Sequence, residues 1–408
     1  MAAGRIGARG KKKADSQVAT GVPIIVSERS GAIAVRRRTV SGEWERSLVT
    51  PAAVWPVLNP ARDAVAVSVV AQEGEFLRSN IELFALDGTH LRTLHQTPRG
   101  VGPVIAPRIP HYAAWSPRGD VLSYVAQSSY GLTLFLSEID GAFVSDPIIN
   151  GAPIFSAWCP DNNFLGVHAG DELAVIEVEG SRTTANVAER AVGFRTPAFS
   201  SDANIMAYAV PAEPGVAIMR AHFQGTGGRE VHRLPGGVAM AFRPGTCELT
   251  VALTRQPDSG VFDELWSIDM AGEAAGARLL WRGPLVAFFW APQGDRMVAI
   301  VPTHTGDGRF SAWALDAEGQ FAGATEPFVP SVDYRTVLGF FDQFATSHHL
   351  WSPDGEGFLL AGRLPGDAVS AAFGDPVGDY VMLWEARRGA PVEVVGPGDV
   401  AFFPPPQQ

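Results

Sequence analysis

Two adjacent histidines, His348 and His349, are the residues of this sequence with the clearest potential for chemistry. Imidazole nitrogens bind transition metals and can transfer protons near neutral pH. Neighbouring residues on a strand point to opposite faces, so the pair has no metal-ligand spacing of its own. Asp342, Gln343 and His111 could join the pair in space. The pattern favours histidines that make structural hydrogen bonds. We therefore predict no catalytic residue, no cofactor and no metal, with His348 and His349 as weak metal-ligand candidates.

Arginine and aromatic residues in two stretches suggest binding. Residues 96–111 are rich in Pro and Arg, and residues 327–349 mix aromatic, acidic and amide side chains. Tyr, Trp and Arg are the residues that most often dominate the binding energy of protein interfaces. We therefore predict a binding rim in these two stretches. Its candidate residues are Arg99, Arg108, His111, Tyr334, Arg335, Phe341, Asp342, Gln343, His348 and His349.

The composition of the 408-residue chain excludes several classes of protein. Its net charge of −11 argues against a nucleic-acid surface, and no window approaches the length of apolar chain that spans a membrane. Two cysteines are too few for a disulfide framework. No signal peptide is recognisable at the N-terminus, and residues 1–21 are small, polar and basic. We expect a cytoplasmic protein with a disordered basic tail over residues 1–21.

A repeated turn indicates the scaffold that must position these residues. Its clearest copy is Trp-Ser-Pro-Asp-Gly at residues 351–355. In a type I turn, Pro353 presets φ at the second position and Gly355 suits the fourth. The sequence therefore predicts a hairpin whose first strand ends at Trp351 and whose second strand contains Phe358.

Six further copies of this turn precede short apolar strands. Successive anchors from the first copy to Trp351 lie 41 to 61 residues apart, which is close to the period of a four-stranded propeller blade. The longest intervals carry the insertions at residues 96–111 and 327–349, which we expect to link consecutive blades on one rim. The six further anchors are Leu58, Trp115, Trp158, Phe199, Phe242 and Trp290.

The two ends of the chain are predicted to share one blade. Residues 22–29, 32–40 and 44–49 resemble the last three strands of a blade, and no first strand precedes them. Residues 400–404 resemble the first strand at residues 286–290 and would complete the set. Closure of this kind leaves no open sheet edge at the seam. We predict an all-β, single β-propeller over residues 22–408, with eight blades, or alternatively seven.

The Trp-Ser-Pro-Asp-Gly copies resemble the repeats of WD40-like, TolB-type β-propellers over about residues 22–405. No Trp-Asp dipeptide ends a blade, so the true WD repeat is absent. The resemblance implies a partner-binding propeller, a propeller attached to a peptidase, or a metal-dependent propeller lyase. The peptidase is excluded because no Gly-x-Ser-x-Gly nucleophile elbow occurs.

We therefore predict a non-catalytic platform that binds a protein or peptide through one loop-rich rim. It would have no nucleic-acid partner and no membrane span, and it would be a monomer or a subunit of a hetero-complex. Two alternatives stay open. One is a metal-dependent, lyase-like enzyme acting on an acidic saccharide, whose carboxylates Arg78, Arg99, Arg108 or Arg335 would bind. The other is an accessory subunit of a larger complex.

Overall fold

A computed structural model provides the structure of the chain. It describes residues 21–74, 76–96, 112–128, 131–139, 147–178, 184–188, 190–191, 195–256, 259–272, 276–304, 306–364 and 378–406. Three residues of the predicted binding rim, Arg99, Arg108 and His111, lie outside these ranges, as do residues 1–20 of the predicted tail.

The described residues contain eight antiparallel sheets of four strands each. The innermost strands of neighbouring sheets contact one another, so the sheets stand radially around one axis like the blades of a propeller. The prediction of an all-β chain with eight blades is confirmed.

The blades are numbered from the N-terminus, and their strands are given from the axis outwards. Blade 1 has β32 (Val400–Phe402), β1 (Ile24–Ser27), β2 (Ile33–Arg38) and β3 (Trp44–Thr50). Blade 2 has β4 (Val54–Leu58), β5 (Ala64–Glu73), β6 (Phe76–Ala85) and β7 (His90–Gln96). Blade 3 has β8 (Ala113–Trp115), β9 (Val121–Ser128), β10 (Gly131–Glu138) and β11 (Ile149–Asn150). Blade 4 has β12 (Ile154–Trp158), β13 (Phe164–Ala169), β14 (Glu172–Glu177) and β15 (Thr184–Ala188).

The other half of the ring follows the same plan. Blade 5 has β16 (Ala198–Phe199), β17 (Ile205–Pro211), β18 (Val216–His222) and β19 (Arg229–Leu234). Blade 6 has β20 (Gly237–Phe242), β21 (Glu248–Thr254), β22 (Phe262–Asp269) and β23 (Ala277–Leu285). Blade 7 has β24 (Ala287–Trp290), β25 (Arg296–Pro302), β26 (Phe310–Asp316) and β27 (Phe321–Ala324). Blade 8 has β28 (Val329–Pro330), β29 (Gly357–Arg363), β30 (Tyr380–Glu385) and β31 (Val392–Pro397). Two helices, α1 (Val332–Gly339) and α2 (Phe341–Phe344), lie between β28 and β29.

Blade 1 closes the ring with strands from both ends of the chain. β32 pairs antiparallel with β1, with Phe402 opposite Ile25 and Val400 opposite Ser27. The C-terminal strand is therefore the innermost strand of the N-terminal blade, as predicted. This pairing stabilises the ring because neither end of the chain can leave without breaking a buried sheet.

The repeated turn has the geometry that its sequence predicts. The Gly355 N–H donates to Ser352 O at 2.8 Å, which is the hydrogen bond of a type I turn, and the Ser352 hydroxyl accepts from Gly357 N at 2.8 Å. Gly355 has φ of +72°, and a Cβ at this position would overlap the amide oxygen of Gln293 in the neighbouring turn of blade 7. Glycine suits this position because positive φ carries no steric cost for a residue without a Cβ.

Where a tryptophan precedes the turn, its indole joins that blade to the preceding one. Trp115 Nε1 donates to Val57 O at 3.0 Å, and Trp351 Nε1 donates to Phe289 O at 2.9 Å. Trp158 makes the same kind of bond to blade 3 at 3.2 Å. The indole therefore fills the space between blades and also satisfies a carbonyl near the axis.

The insertion at residues 327–349 lies inside a strand and does not link two blades, so the prediction of a blade-to-blade linker is wrong here. β28 pairs with one end of β29, at Gly362 and Arg363, and Trp351 bridges Phe358 near the other end. The two helices interrupt what would be one innermost strand of blade 8. The first half of this strand is only two residues long, so it leaves almost no pattern in the sequence. It is followed at once by Ser331, whose hydroxyl caps α1 by accepting from Tyr334 N at 3.0 Å.

Candidate functional site

Residues 331–349, here called the plug, fill the middle of the propeller. Helix α2 contacts the innermost strands of blades 4, 6 and 7. The ring of Phe341 lies 5.0 Å from that of Phe288 in blade 7 and 6.0 Å from that of Phe262 in blade 6. The ring of Phe344 lies 5.3 Å from that of Trp55 in blade 2. Because one short segment contacts blades on opposite sides of the ring, it crosses the central channel.

A buried ion pair attaches the plug to blade 5. Arg195 Nη1 lies 3.4 Å from Asp342 Oδ1, and the Thr196 N–H donates to Asp342 Oδ2 at 3.3 Å. The Asp342 side chain is 1% exposed, and the Arg195 guanidinium also lies over the ring of Phe262 at 5.4 Å. Removing one partner of a buried pair leaves an uncompensated charge, which typically costs about 3–5 kcal/mol.

The plug brings together seven residues of the predicted binding rim. Five of them are buried. Arg335 is exposed and His349 is half-buried. A partner cannot touch the five buried side chains while the residues that cover them stay in place. Their role in binding stays a prediction. The five buried residues are Tyr334, Phe341, Asp342, Gln343 and His348.

The two histidines are held in apolar surroundings that keep them neutral. His348 Nδ1 lies 2.7 Å from Ser347 Oγ, and the His348 ring lies 4.7 Å from that of Phe402 and 5.0 Å from that of Phe344. Burial, with a smaller effect of the neighbouring His349, lowers the pKa of His348 to about 3. Burial lowers the pKa of His349 to about 4. A general base works best with a pKa near the operating pH, and the lowered pKa makes His348 a weak base. The Ser347–His348 pair is therefore poorly suited to nucleophilic catalysis.

No group of three or more His, Cys, Asp or Glu side chains that could hold a metal ion occurs within the described ranges. A protein metal site of the zinc type needs at least three such ligands. His348 and His349 therefore have no third ligand among the described residues, and His111, which was predicted to join them, lies outside those ranges.

A pocket of about 570 Å³ lies on the face of the ring that carries the repeated turns, here called the turn face. The plug forms its floor with Thr346, Ser347 and His349. Its walls come from blades 1 to 5, which contribute three aromatic side chains and five prolines. Residues of the walls include Trp115, Trp158, Phe199, Pro60, Pro117, Pro160, Pro405 and Pro406.

The lining of this pocket carries no charge. Its residues in the described part of the chain include no Asp, Glu, Lys or Arg, and the lowered pKa keeps His349 neutral at physiological pH. Pockets of a few hundred Å³ with apolar walls and few polar groups are typical binding sites. The sequence analysis missed this pocket because its walls come from turns that are far apart in the chain. The repeated Trp-Ser-Pro turn was the one signal that could have indicated it.

A second cavity, of about 550 Å³, lies at the outer part of blade 6. Glu264, which is buried, accepts from Arg255 Nη2 at 3.2 Å, from Arg282 Nε at 3.1 Å and from Trp266 Nε1 at 2.9 Å. Both arginines of this cavity are therefore paired with a carboxylate of the protein itself. This arrangement gives no support to the alternative of an enzyme for acidic saccharides, which needs arginines available to its ligand.

Comparisons with known proteins agree with the geometry. No protein-family model and no curated protein matches the chain. Solved structures do match. Dihydro-heme d1 dehydrogenase NirN has a TM-score of 0.58 at 13% identity, covering 98% of this chain and 77% of that one. The chain is a β-propeller. A eukaryotic initiation factor has a TM-score of 0.52 at 11% identity, covering 95% of this propeller and 98% of that chain. TolB from Acinetobacter baumannii has a TM-score of 0.41 at 11% identity, covering 85% and 82%.

The first two similarities concern the fold of the propeller alone, because both identities are below 25%. Function must therefore be argued from the site. One further observation bears on partners. Among the helices in the described ranges, none is long and apolar enough to cross a membrane.

Proposed function

We propose that this propeller is a non-catalytic platform whose turn-face pocket binds an extended segment of a partner protein. The observation that carries the proposal is the uncharged, aromatic and proline-lined pocket between the blades and the plug. This assignment moves the predicted binding surface from the rim of long loops to the opposite mouth of the channel.

The rigidity of the pocket supports binding. Its walls are the ends of innermost strands, and indole hydrogen bonds such as that from Trp158 to Ala114 O hold those strands together. A pre-formed site needs little ordering when a ligand arrives, so more of the contact energy contributes to affinity. Buried aromatic side chains are also the residues that most often dominate the affinity of protein interfaces.

The chemistry of the plug supports a role without catalysis. His349 at the floor of the pocket and its neighbour His348 are neutral and weakly basic, because burial lowers the pKa of both. No carboxylate lines the described part of the pocket, so an acid–base pair of carboxyl groups is not available there.

Synthetic peptides arrayed on a membrane provide the test, with purified propeller as the probe. Thr346 is exposed on the pocket floor, so Thr346→Arg fills the pocket without removing a buried side chain. Val332, at the opposite mouth, is 65% exposed, and Val332→Arg is the matched control. We expect peptide binding to disappear in Thr346→Arg and to persist in Val332→Arg.

Two results would contradict the proposal. In the first, no peptide binds the wild-type protein. In the second, Thr346→Arg binds as well as the wild type. Loss of binding in Val332→Arg alone would assign the partner to the mouth that carries Arg335, as the sequence analysis predicted.

A further inference from the structure

The chain already places a proline segment of its own in the turn-face pocket. Residues 404–406 are three prolines that follow β32, and Pro405 and Pro406 form part of the pocket wall. The pyrrolidine ring fixes φ near −65°, so consecutive prolines favour the polyproline II helix. Pro404 is buried, and the two prolines after it are half-buried. The site is therefore compatible in shape and polarity with a polyproline chain.

An arginine of the blade 2 turn binds the backbone of that segment. Arg62 Nη2 donates to Pro405 O at 3.0 Å. Arg62 holds the fourth position of the blade 2 turn, as Gly355 does in blade 8, and both have positive φ, +64° and +72°. Its Nε is buried and makes no hydrogen bond. A proline chain offers carbonyl acceptors and no N–H donors, and a guanidinium offers donors only, so the two are complementary.

The rest of the wall has the composition of a polyproline-binding surface. Trp158 and Phe199 stand beside Pro117 and Pro160. Aromatic-lined grooves recognise proline-rich segments by packing rings against the pyrrolidines. The polyproline II helix is largely formed before binding, so little conformational entropy is lost. The absence of charged side chains from the described lining disfavours acidic or basic peptides.

We propose that the partner segment bound here is proline-rich and lies in the polyproline II conformation. It packs on Trp158 and Phe199, next to the chain's own prolines. This inference rests on the proposed function and specifies the chemistry of the ligand.

Titration calorimetry with an oligoproline peptide tests the inference, with a Gly-Ser peptide of the same length as the ligand control. We expect the oligoproline to bind and the Gly-Ser peptide not to bind. Truncating an aromatic contact at the centre of an interface costs about 2 kcal/mol or more, which is roughly a 30-fold loss of affinity. We expect at least that loss in Trp158→Ala. Because Trp158 also bonds blade 3, Thr346→Arg is measured in parallel as a variant that keeps this bond.

The outcomes separate this inference from the proposed function. If arrayed peptides bind in a manner that Thr346→Arg abolishes, but oligoproline binds no better than Gly-Ser, the preference for proline is refuted and the binding platform stands. Oligoproline binding that survives both Trp158→Ala and Thr346→Arg would also refute the inference, since the peptide would then bind elsewhere. If neither oligoproline nor any arrayed peptide binds, both proposals fail.

Discussion

Replacing Phe341 by alanine is the sharpest test of how the plug is held. Phe341 is 1% exposed, and its ring lies 5.0, 6.0 and 6.1 Å from the rings of Phe288, Phe262 and Phe289. These three partners belong to blades 6 and 7, so the side chain fixes the plug against two blades at once.

The size of the expected effect follows from this environment. Truncating a buried Phe to Ala typically costs about 3–5 kcal/mol, because transfer energy is lost and a cavity remains. Aromatic pairs add about 0.5–1.5 kcal/mol each beyond the buried area. The plug is joined to blade 8 at both ends, so it cannot move far to fill the cavity that the truncation leaves. We expect Phe341→Ala to lower the free energy of unfolding by about 4 kcal/mol.

Urea denaturation followed by tryptophan fluorescence measures this change, with the transition checked for a single cooperative step. Phe340→Ala is the matched control, because this neighbouring residue of the same type is 39% exposed. We expect the control to cost about 1 kcal/mol or less. A loss below about 1 kcal/mol for Phe341→Ala, or equal losses for both variants, would show that the plug does not pack as a core element.

Three further predictions concern stability. Burial holds the pKa of His348 at about 3, below the ordinary value of 6.5, so only the unfolded chain binds this proton in acid, and stability falls as pH drops below about 6.5. His348→Gln should reduce the pH dependence of the free energy of unfolding in urea denaturation below pH 6.5, to which this group contributes about 1.4 kcal/mol per pH unit. Asp342→Asn should cost about 3 kcal/mol in urea denaturation, because Arg195 loses its buried partner. Trp351→Phe should cost about 1–2 kcal/mol by the same assay, because a carbonyl of blade 7 loses its donor.

Each of these three has a control or a contradicting result. An unchanged pH dependence in His348→Gln would mean that this group does not titrate differently in the two states. Glu230→Gln removes an exposed pair with Arg233 and should leave stability nearly unchanged, so an equally small loss in Asp342→Asn would contradict the buried pair. A Trp351→Phe protein as stable as the wild type would show that the indole contributes through its apolar surface alone.

The blades and the closure of the ring could be predicted from the sequence because their signals are local or repeated. A turn such as that at Ser352 is specified by its own side chains and by glycine, and each copy of it ends an innermost strand. The anchors Leu58, Trp115, Trp158, Phe199, Phe242 and Trp290 are all last residues of such strands. The likeness of residues 400–404 to another first strand was enough to predict the shared blade.

The course of the insertion could not be predicted in the same way. Its residues carry aromatic and polar side chains that suit a binding rim as well as a core, and only their neighbours decide between the two. Phe341 and Asp342 are buried because strands from blades 6 and 7 and the segment that leads into blade 5 converge on them. Those strands are separated from the plug by tens of residues, and no local pattern records the contact.

Local chemistry in the sequence thus determined most of the strands, the repeated turns and the closure of the ring, and it favoured eight blades over seven. The tertiary structure alone decided what occupies the channel and where a partner can bind. The pocket is built from residues between Leu58 and Pro406 that meet only when the ring is closed. Its shape and lack of charge are properties of that convergence, because each contributing turn supplies only a few apolar groups by itself.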